Sequence, residues 1–189
     1  MTFEPLTTAR LTLRPLRVDD AAAVFRYRSR PEVYRFQRWE PHSVPDVEEV
    51  LRSTAENPDR PGTWFQLGIF RRDQEDLIGD CGLHFPQEDS SQVEIGITLA
   101  PEHQGIGYAA EALRSVAGYV FDILGKHRVY GSVDPGNEAS IRLLERLGMR
   151  REAHFVESLW FKGRWSDDIV YGLLAREWRR WRPAPDDPR

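Results

Sequence analysis

One cysteine, Cys81, stands in a chain of 189 residues. No internal disulfide can form, and a reducing cytoplasm is the expected compartment. No apolar run approaches the roughly 20 residues that span a bilayer, so no membrane partner is expected. The first residues lack a basic flank followed by an apolar core, so a secretory signal is not expected either. The five histidines show no metal-ligand spacing, which argues against a metal. Internal repeats, low-complexity tracts and linkers are missing. The expectation is therefore a single domain over residues 1–182, with 183–189 (P-A-P-D-D-P-R) as a flexible tail. The net charge of −4 argues against non-specific nucleic-acid binding, and no DNA is expected.

What is present centres on residues 93–113, V-E-I-G-I-T-L-A-P-E-H-Q-G-I-G-Y-A-A-E-A-L. Residues 93–99 are apolar and β-branched, and read as a strand. Residues 100–103 break it. Ala109, Leu113, Val116, Ala117, Val120 and Leu124 then recur at helical spacing, predicting an amphipathic helix to about residue 124. A strand thus feeds a glycine-bearing turn and a helix N-terminus, whose free N–H groups and dipole favour an anion. Glycine lets a phosphate reach the backbone.

Three phosphate readings compete for this turn. A P-loop needs a Gly-Lys-Ser/Thr ending, which is absent. Gly105, Gly107 and Ala110 match a dinucleotide fingerprint, and Asp134 could serve as its ribose acid. The preceding strands, however, read as an antiparallel meander (63–70, 77–85, 93–99) joined by short polar turns. Gln104, Gly107 and Ala109 form Gln-x-x-Gly-x-Ala, which resembles the acyl-CoA pyrophosphate loop of the GNAT superfamily of N-acyltransferases.

The rest of the chain supplies the expected frame. A strand over 10–16 precedes a helix capped by Asp19 or Asp20, running to about Arg28 and ended by Pro31. Residues 34–45 read as irregular and aromatic, and 46–56 as a helix. A strand over 127–133 should run parallel to the central strand through a right-handed crossover. Asn137 caps a helix to Leu147, stopped by Gly148. Residues 149–160 and 169–174 read as strands across a hairpin-like turn at 162–164, and 177–181 as a helical turn.

This order of elements is similar to the GNAT fold, an α+β arrangement with a mostly antiparallel sheet and a splayed central parallel pair. Residues 137–149, N-E-A-S-I-R-L-L-E-R-L-G-M, resemble a segment of the RimJ/RimL branch. Gly163, Trp165, Asp168 and Tyr171 of the late hairpin support it. The resemblance implies transfer of an acetyl or other short acyl group from acyl-CoA to a primary amine, directly in a ternary complex. Acetyl-CoA is the expected co-substrate, and the acceptor a protein N-terminus or small amine. A homodimer is compatible with this reading. A non-catalytic acyl-CoA or nucleotide sensor is the alternative.

The resemblance also assigns residues. Ile97, Thr98 and Leu99 would pair with the pantetheine arm, and Gln104, Gly105, Ile106, Gly107, Tyr108 and Ala109 would hold the pyrophosphate. Asn137 and Ser140 would help hold the cofactor, Ser140 would also return a proton to the thiolate, and Glu94 would act as base through water. Trp39, His84 and Trp160 are candidates for the acceptor side. Cys81 and His84, three apart in a strand, face opposite sides, which argues against a nucleophile pair. Arg26, Arg28, Arg30, Arg35 and Arg38 read as a solvated basic face.

Overall fold

The computed structural model describes residues 3–181. The expected tail at 183–189 lies outside them. The chain opens with β1 (Leu6–Thr7) and β2 (Leu11–Pro15), then α1 (Ala21–Arg28), α2 (Pro31–Tyr34) and α3 (Val44–Ser53). The meander follows as β3 (Thr63–Arg71), β4 (Leu77–Phe85) and β5 (Gln92–Leu99). After α4 (Tyr108–Gly118) come β6 (Arg128–Val133), α5 (Glu138–Arg146), β7 (Arg150–Phe161), β8 (Arg164–Leu174) and α6 (Ala175–Trp181).

The strands form one sheet in the order β1-β2-β3-β4-β5-β6-β8-β7. Every neighbouring pair is antiparallel except β5 with β6. That pair is joined at Gln92 with Arg128, Val93 with Val129 and Glu94 with Tyr130. Beyond Glu94 the ladder stops, although β5 runs on to Leu99 and β6 to Val133. The two strands part there. A dinucleotide fold is built on a largely parallel sheet, so this topology removes that reading of Gly105, Gly107 and Ala110.

Two apolar clusters hold the layers together. The larger joins the sheet to α4 and α5 through Leu113, Val116, Ala117, Leu144 and their neighbours. Burying each of the larger aliphatic side chains contributes about 1.5–3 kcal/mol. The smaller joins α1 and α3 through Val24, Tyr27, Val47 and Leu51. Among the described residues, no helix is long and apolar enough to cross a membrane.

Several expected boundaries move, each for a local reason. α1 ends at Arg28 as expected, but Pro31 is not its stop: it opens α2, where its missing N–H costs nothing. α3 starts at Val44, because Ser43 and Asp46 form a reciprocal cap, Asp46 N–H on the Ser43 hydroxyl and Ser43 N–H on the Asp46 carboxylate. The central helix passes into a π-helical turn over Tyr119–Ile123. β8 begins at Arg164, well before residue 169. Phe161 pairs with Arg164 across Lys162 and Gly163, both at positive φ, which is the geometry of a tight two-residue hairpin.

Candidate active site

The parting of β5 and β6 opens a cavity of about 780 Å³. β5 lines it with the whole run 94–98, and β4 with alternate residues, Asp80, Gly82 and His84. This period of two is the pleat itself. It also explains Cys81, which points into the core, fully buried, with its thiol pushed up by burial. Cys81 and His84 are indeed on opposite sides. Gly96 is instructive, since a Cβ built there meets nothing within 4 Å. The strand leaves open space where a threaded ligand arm could pass.

At the start of α5, the Asn137 carboxamide oxygen accepts the Ser140 N–H at 3.2 Å. Asn137 is therefore a helix cap, and both residues line the cavity. Glu94 stands at the last paired position before the strands part, opposite Tyr130 on β6 and His84 on β4. Burial, and then the Glu94 charge, push the Tyr130 phenol above its ordinary value. The cavity thus brings together Glu94, Ile97, Thr98, Asn137, Ser140, His84 and Trp39 of the expected set.

Leu99 lies apart from that cavity, buried in the core at the end of β5, and residues 104–109 form an open ledge at the head of α4. Gly107 caps α4 at φ +92°, with no side-chain bond to the first-turn N–H groups. Gly105 is also left-handed, at φ +77°. The Gln104 carboxamide donates to the Leu99 carbonyl at 2.9 Å, tying the loop to the end of β5. Arg10 was not singled out from the sequence. Its guanidinium donates to the Ile106 carbonyl at 3.1 Å and to Glu111 at 2.7 Å, and it stacks over Tyr108. A cation therefore stands beside the exposed N–H groups.

The other wall is built from distant segments. Arg28 is not on a solvated face. It is buried, and it grips Asp80 through three hydrogen bonds of 2.6–3.1 Å. Gln66 donates to the same carboxylate at 2.6 Å, and Arg28 lies 5.2 Å from the Trp39 ring centre. Lys162, at the hairpin turn, donates to the Tyr34 carbonyl and to Glu40, each at 3.0 Å. The segment after α2 and the late hairpin are thereby joined over one end of the cavity. Leu159 and Phe161 line it from β7. Trp160 does not: strand alternation turns it outward, 64% exposed, edge-on to Trp165.

The acetyltransferase (GNAT) domain model matches residues 10–150. The chain belongs to the GNAT acetyltransferase family. It is 30% identical over 176 residues to the uncharacterized N-acetyltransferase p20 of Bacillus licheniformis, covering 93% of this chain and 99% of that one. It is 26% identical over 179 residues to the ribosomal protein uS5 alanine N-acetyltransferase of Escherichia coli, covering 92% of each chain. That similarity supports the RimJ/RimL-like branch. The structure of spermidine N-acetyltransferase from Vibrio cholerae, in complex with CoA and spermine, superposes with a TM-score of 0.79 at 26% identity. The overlap covers 91% of this chain and 99% of that one. This GNAT protein is thus an acetyltransferase, and its fold is the splayed-sheet arrangement expected.

Proposed function

We infer that the protein transfers an acetyl group from acetyl-CoA directly to a primary amine, held together in one ternary complex. The observation that carries this reading is the end of the β5–β6 ladder at Glu94, with Asn137 and Ser140 on the cavity that opens there. On its β6 side the β5 backbone at 97–99 is unpaired, which fits an extended amide-bearing arm as an added strand would. The N-terminus of α4, with Gly105, Gly107 and Arg10, fits a pyrophosphate. When bound, acetyl-CoA supplies an acyl group already activated as a thioester.

The residues then have limited work. The cavity walls hold the amine against the carbonyl, worth much of the barrier through orientation alone. Glu94 takes part in removing the ammonium proton. Ser140 donates a hydrogen bond and a proton toward the departing sulfur; a hydroxyl is a weak free acid, so position matters more than its own acidity. The lining carries Glu94, Asp134, Asp167 and Asp168 against Arg38, while the Arg28 charge is held by Asp80. Such a lining suits a cationic acceptor, a protein N-terminus or a small amine. The lone cysteine, buried and unpaired, fits the cytoplasm as the compartment.

The test is thiol release from acetyl-CoA in the presence of alanyl-N-terminal peptides, polyamines and aminoglycosides. Acceptor-dependent release, with the acetyl group found on the amine nitrogen, is the expected result. Tight acetyl-CoA binding without release on any amine would instead favour a sensor.

A further inference from the structure

His84 is the one imidazole that reaches the cavity, among the described residues. It lies directly opposite Glu94 in the β4–β5 register. Its Nδ1 is 3.5 Å from a Glu94 carboxylate oxygen, buried, and without a hydrogen-bond partner. The ring stacks on Trp64 of β3, with centres 4.9 Å apart and planes 21° from parallel. Two walls therefore fix it: an indole sets its plane, and a carboxylate faces one nitrogen. A buried Nδ1 facing a carboxylate is stabilised as Nδ1–H, since that tautomer alone can donate. The lone pair is then left on Nε2 of a ring that lines the cavity. Slightly long contacts of this kind are usual before substrate closes the site.

We propose that His84 is the proton acceptor of the reaction, oriented by Glu94 as a carboxylate orients the imidazole of a catalytic triad. This rests on the acetyl-transfer reading above. The ammonium gives one proton to His84 Nε2. The freed lone pair forms the C–N bond as the C–S bond breaks. The nitrogen sheds a second proton as the amide forms, and the sulfur, leaving with the bonding pair, gains one through Ser140. The imidazolium later releases its proton to solvent, so one proton is released per turnover. Glu94 compensates the imidazolium while it exists. The other groups nearby are Tyr130, across from Glu94 on β6, and beyond it Arg128 and Glu88.

The experiment compares wild type, His84→Gln and Glu94→Gln. Acetyl transfer to spermidine and to an alanyl-N-terminal peptide is followed from about pH 5.5 to 9, the range across which imidazoles titrate. Acetyl-CoA affinity is measured as a check on folding. His84→Gln should lower kcat roughly a hundredfold or more, the scale of a lost general base, with acetyl-CoA affinity kept. It should also abolish the ascending limb of the kcat/KM profile. Nitrogen NMR of the imidazole should show the Nδ1–H tautomer in the wild type and its loss in Glu94→Gln; this arm needs no acceptor. A wild-type pH profile and kcat in His84→Gln would overturn the proposal, as would an unchanged tautomer in Glu94→Gln. If wild type itself acetylates neither amine, acetyl transfer to these acceptors has failed, and the proton-acceptor role falls with it.

Discussion

The two halves of the site are built differently. The ledge at 104–109 is made of backbone: two left-handed glycines, a helix N-terminus without a side-chain cap, and one side-chain amide tying the loop to β5. The proposed acceptor wall is made of side chains from four remote segments, Arg28, Trp39, Asp80 and Phe161 among them. A backbone site accepts any ligand with the right anion and needs few residue identities. A side-chain site carries specificity, and each member depends on the others for its place. Damage should therefore separate: ledge variants should lose CoA affinity, and wall variants should lose stability and acceptor KM.

Asp80→Ala should give the largest effect. It leaves the Arg28 guanidinium buried without its carboxylate, a loss of about 3–5 kcal/mol. Thermal unfolding should show it, while acetyl-CoA affinity measured below the transition stays near wild type. Ser140→Ala sits at the seam between the halves. It should lower kcat roughly a hundredfold, the scale of a lost proton donor, and leave acetyl-CoA affinity unchanged. Wild-type turnover would reduce Ser140 to a residue of the helix cap.

Arg10→Ala belongs to the ledge. CoA affinity should fall about tenfold, the worth of one charge-assisted hydrogen bond, with acceptor KM unchanged. The smallest effect concerns its partner. Burial pushes the Glu111 carboxyl up, but hydrogen bonds from Thr8 and Arg10 outweigh burial and hold it below its ordinary value of 4.5. A carboxyl depressed in the folded state stabilises above its unfolded value and loses that contribution as pH falls through the folded one. Wild type should thus lose stability below about pH 4.5 more steeply than Glu111→Gln, in denaturant titrations across that range.

The same contrast explains what was legible in the sequence. The ledge could be read because Gln104, Gly107 and Ala109 are neighbours in the chain, between a period-two strand and a period-3.6 helix. Asn137 and Ser140 were legible for the same reason, being three apart at a helix start. Gly96 carries a local signal too, a glycine inside a largely apolar strand. The Arg28–Asp80 pair carried none: the partners are 52 residues apart, and Arg28 sits in a run of arginines that looks solvated. Burial of an arginine is decided by packing α1 on the sheet, which no local pattern encodes. Trp160 failed by one residue of register, since β7 turns Leu159 and Phe161 inward.

The measurement that bears most directly on the account is calorimetric titration of acetyl-CoA, succinyl-CoA, CoA and NAD into wild type and Gly107→Val. At φ +92° a valine is strained, its Cβ would meet Arg10 Nη2 at 3.3 Å, and its branched side chain would stand on the proposed pyrophosphate ledge. The account predicts that wild type binds acetyl-CoA and not NAD, and that Gly107→Val stays folded but loses CoA affinity at least about a hundredfold, about 2.7 kcal/mol. Unchanged CoA affinity in the folded variant, or a wild type that binds no CoA species, would contradict it.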